Sequence, residues 1–269
     1  MGDKGAAVVT GASRGIGRAV AVELARRGYR AVAAMRDVRA GEGLGAEAGA
    51  PAAIEVSRMD VTRPETIQLP EDLRVLVNNA GVEAAYLPVE EAPVSMWREI
   101  FETNLFGLLE VTKRAIPLMR QGGGGVICNV TSSSILAPMP FYAAYRASKA
   151  AVSALGESLR AEVAPLGIRV VEIMPGPIAT DMYAASERVP EAAQFEPYRR
   201  LAQKVFEMRA PVSGMVRPAA EAAVAIADAI EDEAGPLRRG CDPLSVGMLE
   251  QWRRTSDEEL MAGFLSSLA

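Results

Sequence analysis

Six short apolar runs alternate with amphipathic helical patterns through the first two-thirds of the chain, and few folds can absorb that order. Residues 6–10, 31–35, 53–59, 73–78, 126–130 and 168–174 read as strands. Between them, residues 15–27 carry Ile16, Ala19, Val20 and Leu24 at helical spacing, and residues 95–119 and 142–164 are also helical. Gly28 and the Gly122-Gly123-Gly124-Gly125 run end two of these helices. Strands joined by helices pair in parallel, so the pattern predicts an α/β doubly wound parallel sheet in one domain over residues 1–269. Val75-Leu76-Val77 and Val126-Ile127-Cys128 are apolar without alternation, as strands covered on both faces require.

Residues 181–218 depart from the pattern. They are polar, rich in Pro and Met, and set with Met182, Tyr183, Phe195, Tyr198, Phe206 and Met208. An excursion of this length inside a compact domain predicts a substrate-binding lid, its Pro and polar residues arguing against a rigid core element, with a helical insertion packed on the surface as the alternative. Beyond residue 228 the elements are hard to read, except that Ser256-Asp257-Glu258-Glu259 opens a helix with Leu260, Phe264 and Leu265 on one face.

Composition then removes whole classes of chemistry. The 269 residues include no histidine, which excludes Ser-His-Asp and Cys-His nucleophile systems and leaves no metal site to expect. Acid–base work near neutral pH must fall to Tyr, Lys, Cys or a carboxylate. A net charge of −5 offers no nucleic-acid footprint. No apolar run nears the roughly 18 residues of a membrane span, and the first residues lack the apolar stretch of a secretory signal. Two isolated cysteines, Cys128 and Cys241, form no framework, so a reducing cytoplasm is expected.

Thr10-Gly11-Ala12-Ser13-Arg14-Gly15-Ile16-Gly17 lies between the first strand and the first helix. Glycines there permit a tight turn and close approach of a pyrophosphate, and a helix N-terminus offers free N–H groups and the positive end of its dipole. The spacing is G-x-x-x-G-x-G rather than G-x-G-x-x-G. At the end of the second strand, where an NAD enzyme places an acidic residue for the ribose hydroxyl, stands Met35, followed by Arg36. Arg14 and Arg36 together would grip a 2′-phosphate, whereas Asp37 would serve a ribose. NADP(H) is the expected cofactor.

Tyr145 and Lys149 are four apart at the start of a predicted helix and so share one face. A tyrosine of pKa ~10 is a poor acid–base at neutral pH, and a neighbouring ammonium is expected to lower it. With these residues in view, the sequence resembles the short-chain dehydrogenase/reductase family, whose fold is Rossmann-like. The glycine turn from Gly11 to Gly17, Met59-Asp60-Val61, Asn78-Asn79-Ala80-Gly81, Asn104, Ser132-Ser133-Ser134, Tyr145 with Lys149, and Pro175-Gly176-Pro177 occur in the family's order over residues 5–182.

The resemblance implies specific roles. Tyr145 would exchange the alcohol proton, Lys149 would lower its pKa and bind the nicotinamide ribose, and Ser132, thirteen positions before the tyrosine, would hold the substrate oxygen. Asn104 would anchor a water behind Lys149. Asp60 and Val61 would contact the adenine, Asn79, Ala80 and Gly81 the centre of the cofactor, and Pro175, Gly176, Ile178 and Thr180 the nicotinamide end, the last two through its carboxamide. Asn78 would only bridge strands, Ser133 or Ser134 would cap a turn, and Tyr142 is set aside because Arg146 occupies its +4 position.

Family members form homodimers or homotetramers, but Arg239-Gly240-Cys241-Asp242-Pro243 replaces the Asp-Gly-Gly segment that accompanies the common tetramer-forming end. Ala34-Met35-Arg36-Asp37 is closer to NADP-using hydroxysteroid and retinol dehydrogenases than to acyl-carrier-protein reductases. The expected activity is therefore interconversion of a small hydrophobic ketone and its secondary alcohol. The alternative within enzymes is a 3-oxoacyl-thioester reductase, whose acidic carrier would meet a basic rim of Arg188, Arg199, Arg200 and Arg217. The alternative of another class is a nucleotide sensor that has lost its chemistry, against which Asn104, Ser132, Tyr145 and Lys149 are all retained.

Overall fold

A computed structural model describes residues 4–50 and 53–268. In chain order it contains β1 (Ala6–Thr10), α1 (Gly15–Arg26), β2 (Arg30–Met35), α2 (Leu44–Ala48), β3 (Ile54–Arg58), β4 (Leu73–Asn78), α3 (Val94–Phe101), α4 (Leu108–Gln121), β5 (Gly125–Val130), α5 (Ala143–Val163) and β6 (Ile168–Met174). Then follow β7 (Ile178–Ala179), α6 (Asp181–Ser186), α7 (Arg199–Ser213), β8 (Arg217–Pro218), α8 (Ala219–Glu231), β9 (Arg238–Gly240), α9 (Pro243–Trp252) and α10 (Asp257–Leu268).

Seven strands form one sheet in the order β3-β2-β1-β4-β5-β6-β9, each neighbouring pair parallel. Successive residues of β1 serve opposite faces. Ala7 and Val9 pack with α1 and α8, and Val8 with α4 and α5. Both layers are dry, which is why the strands lack polar alternation. The chain winds outward from β1 to β3, then restarts at β4 on the other side of β1. The C-terminal ends of β1 and β4 therefore diverge into a crevice, where ligands of such sheets bind.

The structure departs from the sequence-based expectation in three places. The helix expected over residues 95–119 is interrupted by a π-helical turn, Glu102–Gly107, a local widening that tends to occur at functional sites. Residues 181–218 contain α6, α7, β8 and two short 3₁₀ turns, and Ala192, Ala202 and Val205 bury fully with Tyr86, Phe141 and Tyr142. The segment thus has a packed core, contrary to the expectation from its Pro and polar content, because small residues on α7 let it sit closely on the aromatics. At the C-terminus, Ser256 and Glu259 cap α10 reciprocally as predicted. Leu265, however, is 57% exposed, and Leu268, one turn after Phe264, packs against the Tyr86 cluster instead.

Candidate active site

The crevice is a cleft of about 540 Å³ along the C-terminal edge of the sheet. Every sequence-predicted site residue lines it except Asn104. Its position follows from β1, β4, β5 and β6 all ending at this edge, each delivering the loop that follows it.

At one end lies the glycine turn. Gly11 and Gly15 adopt φ of 67° and 56°, a region that disfavours a side chain. A Cβ on Gly17 would meet the Gly11 carbonyl oxygen at 2.5 Å, so the turn and helix are locked together by the absence of one. Asn79 Nδ2 donates to the Thr10 carbonyl oxygen (2.9 Å), and Thr10 Oγ1 accepts from the Asn79 and Ala80 amides (3.0 and 3.1 Å), tying β4 to the turn. No side chain caps the N-terminus of α1, so its first N–H groups are open to an anion. A dinucleotide pyrophosphate fits this cradle.

The next stretch of cleft is set by the end of β2. Met35 is buried in the acidic slot, and Arg36 is exposed beside the cleft with no hydrogen bond or ion pair among the described residues. Asp37 is committed elsewhere: Arg39 Nε and Nη2 donate to its carboxylate at 3.0 and 2.8 Å and hold its pKa below the usual range. Arg14 reaches Asp181 across the cleft (3.3 Å), an exposed pair of little strength. Burial alone would raise Asp60, but the Thr62 hydroxyl and amide, at 2.8 and 3.0 Å, and the nearby Arg36 hold it low. It is therefore anionic in this stretch of the cleft.

The reacting end is built by α5 and the end of β5. Tyr145 and Lys149 are one turn apart on α5, with Lys149 Nζ 5.9 Å from the Tyr145 ring centroid and donating to the Val130 carbonyl oxygen at 2.9 Å. Burial draws the lysine pKa down to about 8. The Tyr145 phenol is raised above its ordinary range, first by burial and then by the Glu83 carboxylate, while Ser132 pulls it back. Burial dominates the phenol here, and Lys149, whose ammonium bonds the Val130 carbonyl, does not offset it. Ser132 also accepts from the Ser134 amide (3.2 Å), so it is the serine that caps the following turn; Ser133 donates its amide to Pro175.

Asn104 lies behind the cleft, 1% exposed within the π-helical turn. Its Nδ2 donates to the Val82 carbonyl and to Ser148 Oγ (2.9 and 3.0 Å), and its Oδ1 accepts from the Val82 amide (2.8 Å). It braces α5 against the loop after β4. Asn78 bridges β4 to Asn129 and Thr112, as expected.

Opposite α1, the loop after β6 carries Pro175, Gly176 and Ile178 into the cleft, and Thr180 caps α6 by accepting the Tyr183 amide at 3.2 Å. Sequence reasoning missed what holds this loop. The Gly176 amide donates to the buried Asp242 carboxylate at 2.7 Å, and Asp242 also caps α9. The Asp242-Pro243 step, an N-cap followed by proline, was the available signal. Also missed was a polar group facing Tyr145: Glu83, Tyr86 and Tyr142, all lining the cleft. No local pattern marks them. Met182 and Tyr183 of the 181–218 segment also face the cleft, whereas Phe206 points outward. The expected basic rim is not uniform. Arg188 folds onto the Tyr86 ring and pairs with Glu191 (2.8 Å), and Arg199 binds the Ala193 carbonyl.

This arrangement is matched by known proteins. Residues 5–190 match the family model described as short chain dehydrogenase. The chain belongs to the short-chain dehydrogenase family. It is 38% identical over 196 residues to the uncharacterised oxidoreductase YusZ of Bacillus subtilis, covering 68% of this chain and 69% of that one. It is 35% identical over 198 residues to estradiol 17-beta-dehydrogenase 2 of Rattus norvegicus, covering 69% of this chain but only 51% of that longer protein. A short chain dehydrogenase from Burkholderia cenocepacia, solved in complex with NADP, superposes with a TM-score of 0.77 at 28% identity, over 98% of both chains. As expected from sequence, the dehydrogenase is a doubly wound parallel-sheet domain, with β7 and β8 pairing in a separate two-stranded sheet; no helix among its described residues is long and apolar enough to cross a membrane.

Proposed function

We propose that this dehydrogenase uses NADP(H) to interconvert a hydrophobic secondary alcohol and its ketone, with Tyr145 as the proton-transferring residue. The observation that carries the proposal is the convergence of Ser132, Tyr145 and Lys149 on one end of the cleft whose other end is the uncapped N-terminus of α1. The NADP complex of the Burkholderia relative and the alcohol chemistry named for the estradiol dehydrogenase support it. For the 2′-phosphate, Arg36 is the cation beside the cleft without an ion pair among the described residues, and the exposed pairing of Asp37 with Arg39 weakly favours the same choice.

NADP(H) supplies the hydride; the chain's own groups handle the oxygen and the proton. Ser132 orients the carbonyl oxygen toward the Tyr145 phenol. The phenol is protonated at neutral pH and would give its proton to the alkoxide forming beside it, with the Lys149 ammonium favouring the phenolate that is left. Lys149, held by Val130, places its ammonium beside Gly81 and the phenol, where ribose hydroxyls would lie. Asn104 keeps this geometry by fixing Val82 and Ser148. The segment 181–218 would serve as the substrate lid through α6, whose Met182 and Tyr183 face the cleft, while α7 stays packed on Tyr86, Phe141 and Tyr142.

Tyr145→Phe removes only a hydroxyl. Turnover of a ketone panel, followed by NADPH absorbance, is expected to fall by about 10²–10⁴-fold while NADPH affinity stays within a few-fold of the parent. Retention of more than a tenth of the parent rate would assign the proton to another group.

A further inference from the structure

Three charged residues are buried among the described residues. Lys149 serves the reacting end and Asp242 the loop after β6. The third, Glu172, is 1% exposed within β6 and does not line the cleft. Val170, two residues before it on the same face, belongs to the apolar layer with Leu159 and Val163 of α5. A well-packed apolar residue would often serve such a position as well or better, because a buried ion pair can fail to repay its desolvation. Stability alone therefore does not account for the carboxylate.

What the carboxylate joins is specific. Its Oε1 accepts from the Thr131 hydroxyl at 2.8 Å, and its Oε2 from the Ser153 hydroxyl at 2.9 Å and from Arg238 Nε at 3.1 Å. Arg238 stands opposite Glu172 in the β6–β9 register, and also donates to Ser153 Oγ (3.0 Å) and to Glu157 of α5. Thr131 immediately precedes Ser132, and Ser153 lies one turn after Lys149, which holds the Val130 carbonyl. Val130–Lys149 and Thr131–Glu172–Ser153 are thus successive rungs between the end of β5 and α5. Ser132 leaves β5 just beyond these rungs, and Tyr145 sits one turn before them on α5, where its phenol meets Ser132.

We infer that Glu172 is a positioning residue for the reaction: it sets the spacing of α5 against the end of β5, and through it the separation of Ser132 from Tyr145, without touching substrate or cofactor. Reacting groups must be held to within about 0.5 Å of the productive geometry. Three hydrogen bonds of defined length and direction meet that demand, whereas apolar contact leaves a helix free to slide along the sheet. Thr131, Ser153 and Arg238 all donate, so an acceptor-only carboxylate satisfies each of them at once.

The inference rests on the alcohol–ketone reading and is tested apart from it. Glu172→Leu combined with Arg238→Met removes both charges together, so neither is left buried alone. With a ketone that the parent reduces, kcat is expected to fall about 100-fold, the cost of a misplacement of about 1 Å. KM and NADPH affinity should stay within a few-fold of the parent. Crystal structures of the parent and the double variant should show the separation of Ser132 Oγ from Tyr145 Oη lengthened by more than about 0.5 Å. Glu172→Gln keeps the span: its oxygen accepts from Ser153 and Arg238, and its amide donates to Thr131 Oγ1, whose proton goes to the Ile173 carbonyl (3.1 Å). It should return kcat to within a few-fold of the parent. A kcat near the parent's in the folded double variant, an unchanged separation, or a Glu172→Gln as slow as the double variant overturns the inference. So does an NADPH affinity that falls as far as kcat, the mark of general loosening. If the double variant does not fold, Thr131→Val, which cuts the tie at β5 alone, decides: kcat should fall about 10-fold at unchanged KM, and an unchanged kcat overturns the inference. A parent that binds NADPH but reduces no ketone overturns the alcohol–ketone reading, and the Ser132–Tyr145 separation then decides the positioning by itself.

Discussion

Asp242 offers the sharpest test of what holds the loop after β6 in place. The residue is 5% exposed and serves two elements at once. It accepts the Ser245 amide at 3.0 Å as the N-cap of α9, while the Ser245 hydroxyl bonds back to complete a capping box. It also accepts the Gly176 amide at 2.7 Å, from the loop that follows β6 and lines the cleft. In Asp242→Ala the lost cap costs about 1 kcal/mol, and the lost hydrogen bond from Gly176 to a charged acceptor about 1.5–3 kcal/mol. The combined loss is about 3 kcal/mol, which for a chain of this size lowers Tm by roughly 6–12 °C. Asp242→Asn retains an oxygen for the cap but sets an amide against the Gly176 N–H on one side, so it should lose about half as much. Thermal unfolding gives the stabilities, and the KM for NADPH should rise in Asp242→Ala because the loop carrying Pro175 and Gly176 is released. A Tm for Asp242→Ala within 2 °C of the parent would show that the two bonds are not joint supports and would refute the reasoning.

Other consequences follow from the same geometry. Arg36→Ala should reduce the preference for NADPH over NADH by about 10- to 100-fold, and Arg39→Ala, by freeing Asp37, should move the preference the same way; fluorescence titration of both cofactors measures it, and an unchanged ratio in Arg36→Ala would remove the assignment. Amides of residues 181–218 should exchange faster with deuterium in the free chain than with cofactor and a substrate analogue bound, and uniform strong protection in the free chain would make the segment a fixed part of the fold and not a lid.

Much of the cofactor end was legible because it is local. The G-x-x-x-G-x-G turn, Met35 with Arg36, and the Tyr145/Lys149 spacing each lie within a single stretch of chain, and a parallel sheet gathers the ends of its strands at one edge whatever lies between. Asn104 was found through the family resemblance, but its function as a brace was not legible. The π-helical turn that seats it leaves no mark in hydrophobic period, and its partners Val82 and Ser148 are far from it in sequence. The burial of Tyr145 was not legible for the same reason. The i, i+4 rule reports Lys149 as a neighbour but not the burial of both groups or the carboxylate of Glu83.

The substrate end resists reading from sequence on physical grounds. Tyr86 meets Tyr142 face to face, Glu191 reaches the Tyr86 amide, Arg209 covers Tyr142 from α7, and Leu268 closes over the same aromatics from the last helix. None of these contacts repeats at a helical or strand period, and each depends on where a separate connection happens to pack. A doubly wound sheet constrains the loops at its edge only by their anchors, so the loops are free to differ while the sheet and its glycine turn stay the same. The cofactor half of such a site is therefore written into short patterns, and the substrate half exists only once the chain has folded.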